Sequence, residues 1–175
     1  IPESCQLQIS NSSIIRYAQL FSMKATVNIF CNRGTSGIDG STSTAIGAAY
    51  ATEQQTVFIT GDLSFFYDGN GLWNSNIPKS FRIIIINNSG GGIFRIIPGP
   101  KATNAAQYFE TPHCLTAEYL CKMHQLEYQK AYSTETVTKE LSRFFETSEK
   151  PKILEIFTPS AENDLVLKDY FKYIQ

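Results

Sequence analysis

The chain has 175 residues, of which 42% are apolar and 18% charged, with a formal net charge of −1. That length suits one domain with a sizeable core, and the composition excludes a disordered chain. The near-neutral charge gives no reason to expect nucleic acid or an anionic membrane as partner, and the most apolar stretch, Ile83 to Ile86, is far too short to span a bilayer.

In chain order, Ser12 to Phe21 reads as an opening helix and Thr26 to Phe30 as a strand. Asp39 to Thr52 reads as a helix rich in Ala, Ser and Thr, and Thr56 to Thr60 as a second strand ending at Gly61. Ser64 to about Asn74 has helical character despite Gly69 and Gly71. Arg82 to Ile86 reads as a strand buried on both faces. Gly90-Gly91-Gly92 then forces a loop, and Pro98-Gly99-Pro100 a break. Leu115 to His124 reads as helix and Leu126 to Ala131 as strand. Thr134 to Thr147 is an amphipathic helix with Val137, Leu141, Phe144 and Phe145 on one side. Lys152 to Phe157 is the last strand and Leu165 to Tyr173 a closing helix.

Alternating strands and helices predict an α/β fold: three α-β-α layers around a mainly parallel sheet, with residues 1–175 as a single domain. Ligands of such sheets bind at the carboxyl ends of the strands. That rule selects loops 31–38, 61–64 and 87–94.

Cys5, Cys31, Cys114 and Cys121 read as reduced thiols of a cytoplasmic protein. His113, Cys114, Cys121 and His124 are zinc-ligand types. The adjacent His113-Cys114 fits paired-ligand spacing poorly, so the expectation is two exposed histidines and two small buried thiols. Trp73 and the other aromatics read as core.

In Thr60-Gly61-Asp62-Leu63-Ser64 a buried strand ends, glycine permits close backbone approach and a helix begins. Unpaired N–H groups there suit a phosphate, and Asp62 could hold a cation beside it. Gly-Asp is also an ordinary turn and cap. The loop Asn87-Asn88-Ser89-Gly90-Gly91-Gly92 closes the next strand. An Asn amide oxygen and a backbone carbonyl suit Mg²⁺, which takes oxygen ligands shared with substrate phosphates. Taken alone, this loop too reads as a plain turn.

Together the two loops resemble the signature of thiamine-diphosphate enzymes, Gly-Asp-Gly followed by Asn-Asn after the next strand, with Leu63 in place of the second glycine. Three segments are similar to the 2-succinyl-5-enolpyruvyl-6-hydroxy-3-cyclohexene-1-carboxylate synthase family. They are Asn32 to Gly40 followed by Ser43-Thr44-Ala45, Gly61 to Ser64 with Tyr67-Asp68, and Asn87 to Phe94. The resemblance is dense over residues 11–100 and implies a thiamine-diphosphate-binding fold. It implies that Asp62, Asn88 and the Gly90 carbonyl bind Mg²⁺ (or Mn²⁺ in its stead), and that Gly61, Leu63, Ser64 and Gly91 cradle the diphosphate. In the Ser36-Gly37-Ile38 loop, Ile38 would hold the cofactor in its bent shape. Less firmly, it implies that Ser12, Arg16 and Arg33 meet substrate carboxylates, which arginine binds bidentately, while Ile93, Phe94 and Ile97 line the reacting carbon.

The activity implied is decarboxylation of 2-oxoglutarate and addition of the resulting succinyl-semialdehyde carbanion to isochorismate, on the way to menaquinone. The family completes its site with a pyrimidine-binding domain of a second subunit, in a homodimer or homotetramer, and that domain supplies a catalytic glutamate. Nothing in this sequence looks like that domain, so no catalytic residue is assigned here. The chain reads as a fragment of a longer multidomain protein, expected to have negligible catalysis alone. Two rivals are another thiamine-diphosphate 2-oxo acid decarboxylase or carboligase, against which Leu63 and Ile93-Phe94 speak, and a non-catalytic nucleotide- or flavin-binding module. The chain lacks Gly-x-Gly-x-x-Gly after its first expected strand, which weighs against the module.

Overall fold

The computed structural model describes residues 1–97, 99 and 103–174. Pro98 and Pro100 of the expected break lie outside the described residues. The elements follow as β1 (Gln6–Ile9), α1 (Ser13–Ala18), β2 (Asn28–Cys31), α2 (Ser41–Tyr50), β3 (Thr56–Gly61) and α3 (Asp62–Tyr67). A 3₁₀ turn (Gly69–Trp73) leads to β4 (Arg82–Asn87), then α4 (Ile93–Ile96), α5 (Ala106–Glu110) and α6 (Glu118–Met123). The last elements are β5 (Glu127–Ala131), α7 (Thr134–Phe144), β6 (Lys152–Phe157) and α8 (Asn163–Tyr173).

The six strands form one sheet in the order β2-β1-β3-β4-β6-β5, every pairing parallel. The core follows the period of two that a strand imposes. On β4, Ile83 and Ile85 pack with Phe58, Phe65, Phe81 and Ile153 under α2, α3 and α6. Ile84 and Ile86 face the opposite cluster, with Leu7, Val57, Phe144 and Leu154 beneath α1 and α7. Each buried isoleucine or phenylalanine contributes about 2 kcal/mol by leaving water, and helices on both faces supply that burial. The expected three-layer α/β architecture is therefore what the chain forms.

Differences from the sequence reading have local causes. The strand β1 was not expected, because its glutamines alternate with apolar residues over only four positions. Pairing with β2 and β3 on either side nonetheless puts it inside the sheet. The expected helix 64–74 begins at Asp62, then breaks at Asp68 into the 3₁₀ turn. The Asp68 carboxylate instead caps α2, accepting from Ser43 N at 2.6 Å and Ser43 Oγ at 2.7 Å. Trp73, expected in the core, is 79% exposed, and Tyr67, Tyr108 and Tyr119 are exposed as well. Segments read as single helices at 39–52 and 115–124 are shorter, at Ser41–Tyr50 and Glu118–Met123.

Arg82 opens β4 yet is fully buried. Its guanidinium donates from Nε to Phe144 O, from Nη2 to Glu146 O and from Nη1 to Lys79 O, each at 2.7 Å. Two of these carbonyls lie at the end of α7, where helices leave acceptors unpaired. Burial lowers the Arg82 pKa, so these bonds hold the charge in place. Replacing Arg82 with Met is expected to strand the acceptors and destabilise the fold by about 3 kcal/mol, read as a lower urea midpoint with an unchanged slope.

Candidate functional site

The chain leaves β1 outward to β2, then returns across to β3 on the other side of β1. Parallel sheets open a crevice at such a reversal, beyond the carboxyl ends of the strands. Here that crevice is a cleft of about 340 Å³, walled by the ends of β1, β3 and β4 and by α4.

Asp62 stands at its floor, directly after β3, and is 2% exposed. Its Oδ1 accepts from Leu63 N at 2.7 Å and its Oδ2 from Gly90 N at 3.0 Å. His113 Nε2 lies 3.2 Å from Oδ2, but no aligned hydrogen bond joins them. The distance marks a close electrostatic contact; the misalignment means that it is not a formed hydrogen bond. Burial raises the Asp62 pKa above the ordinary carboxylate value, and the two N–H donors and His113 offset that only in part.

The loop after β4 is held from below. Glu155 on β6 is fully buried and accepts from Asn87 Nδ2 at 2.7 Å, Tyr128 OH at 2.6 Å and Thr116 Oγ1 at 2.8 Å. Asn87 Oδ1 in turn accepts from Ser89 N at 2.9 Å, which fixes the turn that carries Asn88 and Gly90. Gly90 has φ of 150°, and a Cβ there would meet Glu110 O at 2.6 Å, so glycine is required. The Asn88 amide lines the cleft and has no hydrogen-bond partner among the described residues. The Gly90 carbonyl accepts one local bond from Gly92 N at 3.1 Å, which leaves its second acceptor position.

On the far side, Ser64 Oγ donates to Ile38 O at 2.6 Å. Asn11, 1% exposed at the end of β1, donates to Asn32 O at 2.7 Å and Gly37 O at 2.8 Å. These bonds fold the 32–38 loop back so that Ile38 reaches the cleft. Ser12 adopts φ of 69° at the cleft mouth, a backbone conformation that costs energy outside glycine.

Of the residues expected from sequence, Ser12, Ile38, Gly61, Asp62, Leu63, Ser64, Asn88, Gly90, Gly91, Ile93 and Phe94 line this one cleft. Ser36, Gly37, Arg16, Arg33 and Ile97 are not among its lining residues. Both arginines are exposed: Arg33 Nη1 donates to Asn11 Oδ1 at 2.9 Å, and Arg16 Nη1 donates to Ser12 O at 2.9 Å. Sequence reasoning missed Asn11, Glu155 and His113. Asn11 follows the unrecognised strand β1, and Glu155 sits in β6, a strand expected from sequence but with no residue singled out in it. His113, expected to be exposed, has a side chain only 10% exposed, and Cys114, expected to be buried, is exposed. All four thiols are free.

The donor set suits a hard cation beside an anion. Asp62 offers one charge, and Asn88 and Gly90 neutral oxygens; Mg²⁺ completes such a set with phosphate oxygens and water. Among the described residues no group of three or more His, Cys, Asp or Glu could hold a metal, so a softer, all-protein site is not formed. Gly61 gives a second sign of fit. Its φ is ordinary, and an added Cβ would meet only Ile14, a cleft residue, at 3.8 Å. The protein's own packing does not demand glycine there. Because the folded pKa of Asp62 lies above its unfolded value, its contribution to stability is present in acid and lost as pH rises through the folded pKa. A cation needs the ionised form. The gain in Tm from Mg²⁺ plus diphosphate is therefore expected to be full at neutral pH and to vanish on acidification, from a pH above the ordinary carboxylate range of about 4. Melts over a pH series, with Asp62→Asn showing no gain at any pH, check this.

Residues 11–156 match the family described as thiamine pyrophosphate enzyme, C-terminal TPP binding domain. The 2-succinyl-5-enolpyruvyl-6-hydroxy-3-cyclohexene-1-carboxylate synthase of Flavobacterium johnsoniae is 58% identical over 173 residues, 98% of this chain and 31% of that protein. Its namesake in Christiangramia forsetii is 54% identical over 176 residues, covering 100% of this chain and 30% of that one. The namesake in Cytophaga hutchinsonii is 44% identical over 177 residues, 100% of this chain and 32% of that one. The chain thus spans under a third of the length of these curated relatives. Among solved structures, the thiamine diphosphate-dependent 4-hydroxybenzoylformate decarboxylase of Rhodococcus jostii RHA1 superposes with a TM-score of 0.72. At 19% identity, over 90% of this chain and 30% of that one, it shares the fold. No helix among the described residues is long and apolar enough to cross a membrane. With the family matched over most of its length and the motif residues gathered in one cleft, this chain belongs to the thiamine pyrophosphate enzymes, as a C-terminal cofactor-binding domain.

Proposed function

We propose that this chain grips the Mg²⁺-diphosphate end of thiamine diphosphate within a 2-succinyl-5-enolpyruvyl-6-hydroxy-3-cyclohexene-1-carboxylate synthase acting on 2-oxoglutarate and isochorismate. The observation that carries the reading is the convergence of Asp62, Asn88 and Gly90, from the ends of two neighbouring strands, on one cleft that also holds Ile38. The names of relatives at 44% to 58% identity support the choice of reaction.

In this reading Asp62, the Asn88 amide and the Gly90 carbonyl hold Mg²⁺, while Gly61, Leu63, Ser64 and Gly91 enclose the diphosphate. Ile38, tied down through Ser64 and flanked by the Ser36-Gly37 turn, supports the cofactor's bent shape. Thiamine diphosphate, when bound, supplies the nucleophilic carbon and the electron sink for decarboxylation. This chain's own side chains bind, orient and exclude water. Ile93 is buried and Phe94 packs on Phe109 with ring centroids 5.2 Å apart, an apolar wall that would continue to Ile97. Ser12 lines the cleft, and Arg33 and Arg16, which do not, would have to turn toward it to meet substrate carboxylates. The pyrimidine end would be met by a second domain from a partner subunit, in a homodimer or homotetramer in the cytoplasm.

The test is consumption of isochorismate by the full-length parent protein, with 2-oxoglutarate, thiamine diphosphate and Mg²⁺. Turnover is expected to need every component and to fall about 100-fold or more in Asp62→Ala, since a metal's charge stabilisation is worth several kcal/mol. A folded protein that binds the cofactor but leaves isochorismate untouched would overturn the substrate assignment.

A further inference from the structure

We propose that His113 is a positioning residue for the Asp62 carboxylate, selecting which of its oxygens is left for the cation; this rests on the reading of Asp62 as a cation ligand.

The ring is fixed on several sides. His113 N donates to Ser89 O at 3.2 Å, so its backbone is tied to the loop that carries Asn88 and Gly90. Leu115 N donates to His113 Nδ1 at 3.0 Å. Nδ1 is therefore the acceptor, and that bond assigns the proton of the neutral ring to Nε2. Phe66 meets the ring edge-on, with centroids 5.5 Å apart. The Nε2 atom is buried, has no formed hydrogen bond, and lies 3.2 Å from Asp62 Oδ2. A buried donor without a partner is costly, and this one has an acceptor at hand after a small ring rotation.

A carboxylate offers about four acceptor positions. Leu63 N takes one on Oδ1, and Gly90 N takes one on Oδ2. With His113 Nε2 on the second Oδ2 position, the remaining one is on Oδ1. The carboxylate then cannot rotate to present its other oxygen without losing two donors. Partners of this kind, standing behind a ligand, hold its orientation and its affinity for metal.

Two substitutions separate this role from a role in the loop. In His113→Asn the side-chain oxygen falls where Nδ1 was, so it keeps the bond from Leu115 N but does not reach Asp62. In His113→Gln the amide nitrogen falls near Nε2 and can still donate to Oδ2. The experiment is Mn²⁺ binding to the full-length parent protein with thiamine diphosphate, read from the free-ion paramagnetic resonance signal, with metal-free melting recorded for each variant. His113→Asn is expected to weaken Mn²⁺ binding about 10- to 100-fold, without lowering the metal-free Tm. His113→Gln is expected to stay near the wild-type affinity. Wild-type affinity in His113→Asn, or equal losses in Asn and Gln, would overturn the proposal. Asp62→Ala separates the two layers. If it binds Mn²⁺ normally, the cation-site reading fails and the inference with it. If it loses the ion while His113→Asn does not, the inference alone fails.

Discussion

An ionised carboxylate taken out of water is unfavourable by several kcal/mol unless donors or a cation surround it. Asp62 is 2% exposed, and what surrounds it is two backbone N–H groups and an unaligned imidazole. That incomplete compensation leaves its pKa raised, and in the proposed reading a divalent ion would complete the site. Much of the neighbouring structure serves to keep the carboxylate there. The end of β3 delivers it, α3 turns away immediately after it, and the glycine loop beyond β4 closes over it through Gly90 N.

Precision at that point comes from two buried polar anchors deeper in the sheet. Glu155 collects donors from Asn87, Thr116, Tyr128 and Ala117 N, so one carboxylate fixes both the glycine loop and the segment that follows His113. Asn11 does the same for the 32–38 loop, accepting from Arg33 and donating to two carbonyls. A bidentate pair between Arg95 and Glu110 then joins α4 to α5, and the Glu110 carbonyl accepts from Gly91 N at 2.7 Å. Loops that would otherwise wander are thereby set on rigid strands, which is what a binding site needs to act on a ligand without reorganising.

The sequence made the sheet legible where apolar runs were long. The strands β3, β4 and β6 end within a residue of their expected limits, because buried parallel strands are nearly continuous in hydrophobicity. It hid β1, whose Gln-Leu-Gln-Ile pattern becomes a strand only through pairing on both sides. The cleft's floor was readable because Gly-Asp and Asn-Asn-Ser-Gly-Gly-Gly carry their chemistry in adjacent positions. Asn11, His113 and Glu155 were not, since each reaches its partners across 20 to 68 positions of the chain. His113 carries no local sign that it will fold against Asp62, and Trp73 no sign that it will remain on the surface.

In the proposed function, the position of the cation decides everything else at the site. A crystal structure of the full-length parent with thiamine diphosphate and Mn²⁺, read from the metal's anomalous signal, measures that directly. The expected result is one peak within coordination distance of Asp62, the Asn88 side-chain oxygen and the Gly90 carbonyl, with the diphosphate in the same cleft. A peak away from Asp62, or a diphosphate lying outside the cleft between β3 and β4, would contradict it.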